Sequence, residues 1–310
     1  MKSFFLKRNI NGIILLDKPS GFSSNAVLQI VKKMFNANKA GHTGSLDPLA
    51  SGILPICLGK ATKIAEYLIQ SDKSYSVILK LGQKTSTLDS EGYIIKERTV
   101  TYNLLKNINM ILQKFIGEVY QIPPIYSAVK YQGIPLYKYA RNNITPPQKI
   151  RKIFIKEIIL VNQYKNYVTL KISCSKGTYI RSLIDDIGDM LGCCAHVVFL
   201  RRISFSKYTL NHTVTLRKLE IISQQNRDNT VKKYKFLDSL LLSIDHPLSY
   251  LTEYVINISQ SIIFKNGIKI KTINVKHIGI VKVINNTTKS FIGIGNIKED
   301  GYLYPKKIIY

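Results

Sequence analysis

The chain is short of cysteine, short of acidic residues and without long apolar runs, and each shortage closes off a class of protein. Its four cysteines, Cys57, Cys174, Cys193 and Cys194, form no CxxC pair and no disulfide-framework spacing. Cys193 and Cys194 stand near His196, but no fourth ligand group accompanies them, so buried free thiols account for the pattern and no metal is expected. No apolar stretch reaches membrane-spanning length, and the opening "MKSFFLKRNINGIILLDKPSG" is interrupted by Lys7, Arg8 and Asn9, which excludes a signal-peptide core. The expected setting is a reducing cytoplasm, with no membrane partner. Repeats and low-complexity tracts are missing too, as is any GxGxxG after the first strand. The segment "GILPICLGKAT" imitates a phosphate-binding loop, but six residues separate Gly52 from Gly59 where the motif needs four. Ala61 also stands where Ser or Thr would meet magnesium. No nucleotide cofactor is called for.

What is abundant is positive charge. Lys and Arg number 45 against 19 Asp and Glu in 310 residues, a formal net charge of +26. A polyanion is the natural partner, with nucleic acid ahead of a membrane surface. The plainer alternative is base composition, since Ile, Lys, Asn and Tyr are all inflated together. The apolar fraction of 45% is ordinary for a globular protein, and the length suits one large domain or two.

Periodicity places strands and helices in irregular alternation. "GIILLDKPSG" reads as a strand running into a Pro-Gly turn, and "SSNAVLQIVKKMFNANK" as a Ser-capped helix with Val27, Leu28, Val31, Met34 and Phe35 on one face. A helix is expected around "KATKIAEYLIQ", then strands in "KSYSVILKLG" and "GYIIKERTV" joined through "TSTLDSEG". "YNLLKNINMILQKFIG" reads as one helix, with Leu104, Leu105, Ile108, Ile111, Leu112 and Phe115 aligned. Strands follow in "IRKIFIKEIILVN", "YVTLKISCS" and "AHVVFLRRISFSKY", with a helix in "KGTYIRSLIDDIGDMLG". The order implies an α+β fold with a mixed, mostly antiparallel sheet and flanking helices. Near residues 245–255 the character changes: "SQSIIFKNG" reads as a short helix, and "HIGIVKVIN", "SFIGIGNI" and "YLYPKKIIY" as strands of a small barrel or sandwich.

One acid stands out against the basic background. "GHTGSLDPLASG" sets Asp47 among glycines, with Pro48 restricting its backbone and His42 and Thr43 alongside. Gly41, Gly44 and Gly52 permit tight bends and a close approach by a ligand. Taken alone, Asp-Pro in such a stretch is an ordinary turn. Elsewhere "DKSYSV" puts Tyr75 on a strand, "KGTYIRS" puts Tyr179 and Arg181 at the mouth of a helix, and "VVFLRRIS" adds Leu200, Arg201 and Arg202. Each has a plainer reading as a core residue or a solvated charge.

Together these segments resemble the bacterial tRNA pseudouridine-55 synthase family, TruB. "NGIILLDKPSGFSSN", "AGHTGSLDPLASGILPICLGKATK", "DKSYSV", "LGQKTSTLDSEG", "QIPPIYSAVKYQG", "CSKGTYIRSLIDDIG" and "CAHVVFLRR" carry the resemblance almost from end to end, in matching order and spacing. Ser45 stands where Ala is common in the family, a small-for-small change. The resemblance implies isomerisation of one uridine in the T arm of tRNA, at position 55, without cofactor, metal or nucleotide. It makes Asp47 the essential acid, kept charged by Arg181. Tyr75 would stack on the everted uracil and assist proton removal from carbon 5. Tyr179 and Leu200 would line the pocket, His42 would fill the space that the base vacates, and Lys18 would support the site.

The same resemblance implies a pseudouridine synthase fold over residues 1–250 and a PUA-like RNA-binding barrel over 251–310. Between about 102 and 150 it implies an insertion that clamps the RNA arm, where Tyr126, Lys130, Tyr131, Tyr137, Lys138, Tyr139 and Arg141 alternate aromatic and basic groups. A helical hairpin with solvated charges is the plainer reading of that stretch. The expected form is a monomer. Two rivals stand beside the main reading: a guide-dependent synthase acting on ribosomal RNA, and a tRNA-binding or folding chaperone that does not rely on catalysis.

Overall fold

The computed structural model describes residues 7–226, 229–273 and 277–309. Its larger sheet runs, in spatial order, Val214–Thr215, Gly12–Lys18, Ser51–Leu58, Ala195–Phe205, Lys73–Leu81, Tyr167–Cys174, Arg151–Tyr164 and Gly117–Gln121. Gly12–Lys18 pairs in parallel with Val214–Thr215, and Ser51–Leu58 with Ala195–Phe205; the remaining neighbours are antiparallel. The α+β reading with a mixed, mostly antiparallel sheet holds. No helix among the described residues is long and apolar enough to cross a membrane.

Two strands fix the geography. Lys73–Leu81 alternates strictly, with Lys73, Tyr75, Val77, Leu79 and Leu81 buried and the residues between them partly open. That period of two is what aims Tyr75 inward. Ser51–Leu58 is buried throughout because both its faces are covered. Leu54, Ile56 and Leu58 join the main core with Val27 and Val31 of the helix Ser24–Met34. Ile53 and Cys57 face a second cluster that includes Ile13, Phe205 and, from the far end of the chain, Ile294 and Ile309. The helix Ser24–Met34 starts where Ser23 caps it, accepting from the Ala26 N–H at 3.1 Å.

The single helix expected over 102–116 is two short ones, Tyr102–Lys106 and Ile108–Gln113, broken at Asn107. Asparagine is a weak helix former whose amide competes for the backbone. The apolar face survives the break: Ile108, Ile111, Leu112 and Phe115 are buried in the main core. Gly117–Gln121 then adds an edge strand to the sheet. The stretch read as an insertion over 102–150 therefore has two parts. Residues 102–121 belong to the body, and residues 122–150 carry only the ladder Lys130–Tyr131 with Ile134–Pro135 and the helix Leu136–Arg141.

The second sheet runs Thr252–Ile256, Gly279–Asn285, Phe291–Ile297, Tyr302–Ile308 and Ile270–Lys271. It curls about its own core of Ile256, Phe264, Val281, Val283 and Leu303, in the manner of a PUA-like domain. The helix Ile258–Lys265 opens with a capping box formed by Asn257 and Gln260. Thr252–Ile256 and Ile270–Lys271 were not legible as strands, the second being only two residues long.

Candidate active site

Asp47 lies on the loop that leads into Ser51–Leu58, and its neighbours pin that loop residue by residue. The Ser24 hydroxyl donates to the Leu46 carbonyl at 2.9 Å and accepts from the Leu46 N–H at 2.8 Å. The Ala50 N–H donates to the Asp47 carbonyl at 3.1 Å, and the Gly21 N–H to that of Pro48 at 2.9 Å. Beneath the loop Lys18 is fully buried, its Nζ donating to the carbonyls of Pro19 at 2.9 Å, Phe22 at 2.6 Å and Pro48 at 3.3 Å. Burial lowers the Lys18 pKa to about 8, while the charge of Asp47 pulls it back upward.

Gly52 corrects one expectation. Its φ is +103°, and a Cβ there would lie 2.2 Å from the carbonyl oxygen of Arg202, its partner in the parallel ladder. The close approach that glycine permits is therefore made by the neighbouring strand rather than by a ligand.

Arg181 meets Asp47 at two points, with Nε donating to Oδ2 and Nη2 to Oδ1, each at 2.9 Å. Its Nη1 donates to the Thr87 carbonyl at 2.8 Å and lies 3.4 Å from Oδ2 of Asp89; Nη2 also donates to the Tyr126 carbonyl at 2.9 Å. The side chains of Arg181 and Asp89 are 4% and 3% exposed, whereas that of Asp47 is 34% exposed. A buried guanidinium thus joins a buried carboxylate to an open one. Only a planar fork can satisfy this arrangement, so lysine would not substitute. The result is a carboxylate of fixed orientation with one side free.

Arg181 is aimed by the start of the helix Ile180–Leu191. Tyr179 holds the N-cap position, and the buried Gln121 amide clamps its backbone, donating to the Tyr179 carbonyl at 3.0 Å and accepting from its N–H at 2.8 Å. The Ser182 hydroxyl donates to the Ile122 carbonyl at 2.9 Å. These bonds join the helix to the edge strand and to the first residues of the 122–150 segment.

Asp47 opens on a cavity of about 270 Å³ lined by Tyr75, Tyr179, Ile180, Leu200, Lys73 and Arg202, with Ser127 and Ala128 contributed by the 122–150 segment. Burial raises the pKa of both Tyr75 and Tyr179, so both hydroxyls stay protonated at neutral pH. Burial also lowers Lys73 to about 8, with the charge of Arg202 adding to the effect. The walls combine aromatic faces and aliphatic surface with a single carboxylate. That combination suits a flat, uncharged ring beside a group that reacts with an acid residue.

Of the residues singled out from sequence, the structure gathers Asp47, Tyr75, Tyr179 and Leu200 at the cavity, with Arg181 behind Asp47 and Lys18 under the loop. His42 does not line the cavity. It sits on the short strand Ala40–His42 beside Ser51–Leu58, its Nδ1 buried without a hydrogen-bond partner and its pKa lowered by burial and then by Arg202. Asp89, Gln121, Ser127 and Lys73 escaped the sequence reading. Asp89 carried a usable signal, since it is one of few acids in a basic chain, within "TSTLDSEG". Gln121 and Ser127 carried none. His196, read beside the paired cysteines, bonds through Nδ1 to the Gln83 carbonyl at 3.0 Å.

Residues 32–180 match the family described as TruB family pseudouridylate synthase (N terminal domain). Residues 181–249 match the tRNA pseudouridylate synthase B C-terminal domain, and residues 255–309 match Pseudouridine synthase II TruB, C-terminal. The tRNA pseudouridine synthase B of Citrobacter koseri is 46% identical over 97% of this chain and 96% of its own length, as is that of Escherichia coli strain K12. Among solved structures, one chain of a Cbf5-Nop10-Gar1 complex shares the fold at a TM-score of 0.70, with 24% identity, covering 96% of this chain and 84% of that one. On the identity and span of these matches, the chain belongs to the TruB family of pseudouridylate synthases.

Proposed function

We propose that this chain converts a uridine of tRNA to pseudouridine, that the target is uridine 55 in the T arm, and that Asp47 is the catalytic residue. The observation that carries the assignment is the two-point Asp47–Arg181 pair opening on a cavity walled by Tyr75, Tyr179 and Leu200. The glycosidic bond from the anomeric carbon to N1 breaks, the uracil turns, and the anomeric carbon bonds to C5. The C5 proton leaves and N1 gains one. Reaching the base inside a folded RNA loop requires eversion at a cost of a few kcal/mol. Stacking on Tyr75 returns about 1 to 3 kcal/mol, a comparable amount. Asp47 supplies the negative charge at the sugar and base, and Arg181 holds that carboxylate in one orientation. The 122–150 segment closes over the RNA arm, the C-terminal sheet contacts the acceptor-stem side, and His42 fills the gap left in the RNA stack.

The protein acts as a monomer on bare tRNA, without guide RNA or helper proteins. Incubating it with an unmodified tRNA transcript yields pseudouridine at position 55, read by base-specific chemical mapping. Activity only in the presence of a guide RNA would instead support the ribosomal reading. Asp47→Asn binds the transcript normally but loses turnover by roughly 10⁴-fold. An Asp47→Asn protein that turns over at a substantial rate removes Asp47 from its role. If that variant instead lacks turnover yet fully supports tRNA folding in cells, the chaperone reading gains. Because lysines displace counterions from phosphates, binding weakens steeply as salt rises.

A further inference from the structure

Among the described residues Arg202 is the largest fully buried side chain, and no carboxylate of those residues forms an ion pair with it. An interior guanidinium without a counter-charge is costly and calls for a use. Two of its nitrogens are accounted for: Nε donates to the Ile53 carbonyl at 2.6 Å and Nη2 to the Gly44 carbonyl at 2.9 Å. The Phe205 ring lies 5.4 Å from its Cζ. Arg202 also lines the Asp47 cavity and stands directly across the antiparallel ladder from Tyr75. There the guanidinium bears on the Tyr75 oxygen, favouring its deprotonated form by charge and by hydrogen bonding. Arginine has only donors, so it can approach that oxygen only as a donor and leaves the hydroxyl proton directed elsewhere.

We propose that Arg202 is a positioning residue that fixes the Tyr75 oxygen at the cavity wall and stabilises it as the acceptor of the C5 proton. The inference deepens the isomerase reading and rests on it. In the step concerned the anomeric carbon is already joined to C5, which still bears its hydrogen. The Tyr75 oxygen, deprotonated, takes that proton. The C5–H electron pair forms the C5=C6 double bond, and the C6=N1 pair moves to N1, which is protonated from solvent. Besides Arg202, Cys174 from the adjoining strand and Asp47 from its loop act on Tyr75, Lys73 lies two residues earlier on the same face of the strand, and Tyr179 lines the same cavity. Cys174 and Asp47 oppose the phenolate. The Lys73 amino group is taken up by the Ile69 and Ser71 carbonyls. Burial outweighs Arg202, so the rate climbs with pH as the phenolate population grows.

The test is the pH dependence of single-turnover conversion of a tRNA transcript. Arg202→Gln lowers the rate at neutral pH by about 10²-fold, leaves the tRNA Kd unchanged and moves the rising limb to higher pH; Arg202→Lys falls between Arg202→Gln and wild type. A ring-fluorinated, more acidic tyrosine at position 75 restores much of the rate lost in Arg202→Gln. In the wild-type background the same replacement moves the limb to lower pH, which keeps the test valid even if Arg202→Gln does not fold. A limb that shifts with the fluorinated tyrosine but ignores Arg202→Gln overturns the role of Arg202 alone, and a limb that ignores both changes removes Tyr75 as the acceptor as well. A wild-type protein inert on tRNA sinks the isomerase reading and this inference with it.

Discussion

The Asp47 loop and the 122–150 segment meet at one cavity and are held in opposite ways. Around Asp47, the side chains of Ser24 and Lys18 and the backbones of Gly21 and Ala50 each make a bond that fixes the loop. The 122–150 segment is hydrogen-bonded to the body chiefly through the Ile122 and Tyr126 carbonyls, and leaves Ile122, Ile134, Ile144 and Ile150 exposed. Its other bonds are largely internal, as from the Leu136 N–H to the Val129 carbonyl at 2.7 Å. A reacting carboxylate must be held within a fraction of an ångström, whereas a cover over a large substrate must open and close. Arg181 bonds to both regions, so Asp47 and the 122–150 segment share one anchor.

Changes at Arg181 should separate the two regions most strongly. Arg181→Met leaves Asp89 buried without its partner and costs about 3 to 5 kcal/mol of unfolding free energy. Asp47→Asn, on the open side of the same arginine, costs less than about 1 kcal/mol. Denaturant titration of the two variants checks the contrast, and equal losses would break it. Gly52→Ala drives a Cβ into the Arg202 carbonyl at a strained φ and costs about 1 to 3 kcal/mol, with activity falling as the loop shifts.

On the segment, Lys138→Ala combined with Arg141→Ala leaves stability within about 0.5 kcal/mol of wild type. The pair weakens tRNA binding and flattens the log K against log salt slope by about one for each phosphate no longer neutralised. A separate, pH-dependent effect concerns Lys18. Because burial depresses its pKa to about 8, the folded state binds fewer protons there than the unfolded chain between about pH 8 and the ordinary lysine value of 10.5. Its destabilising contribution is therefore full below pH 8 and is relieved as pH rises toward 10.5. In Lys18→Met that rise in stability, followed by unfolding at a series of pH values, is missing.

How much of this was legible depended on whether the deciding contact was local. The turn preceding Ile180–Leu191 placed Tyr179 and Arg181 together, and strict alternation aimed Tyr75 inward, so both could be read along the chain. Asp89 reads along the chain as a turn residue because its partner is 92 positions away, as the pairing of residues 89 and 181 shows. Gly52 reads as room for a ligand, since no sequence pattern reveals which strand will lie against it. The break at Asn107 lay within a continuous apolar period, where pattern outvotes a single weak helix former. Arg202 drew attention only as part of "VVFLRRIS"; its burial without a carboxylate follows from sheet pairing across more than a hundred residues.

The strand Ser51–Leu58 has a further consequence for the whole molecule. One of its faces borders the site, and the other belongs to a cluster that Ala61, Ile64 and Phe205 share with Ile294 and Ile309 from the end of the chain. Shortening the protein by its last two strands would remove Ile294 and Ile309 from the cluster beneath the strand whose entrance loop holds Asp47. The C-terminal module is therefore tied into the larger body through one shared apolar cluster, behind the strand that the Asp47 loop enters.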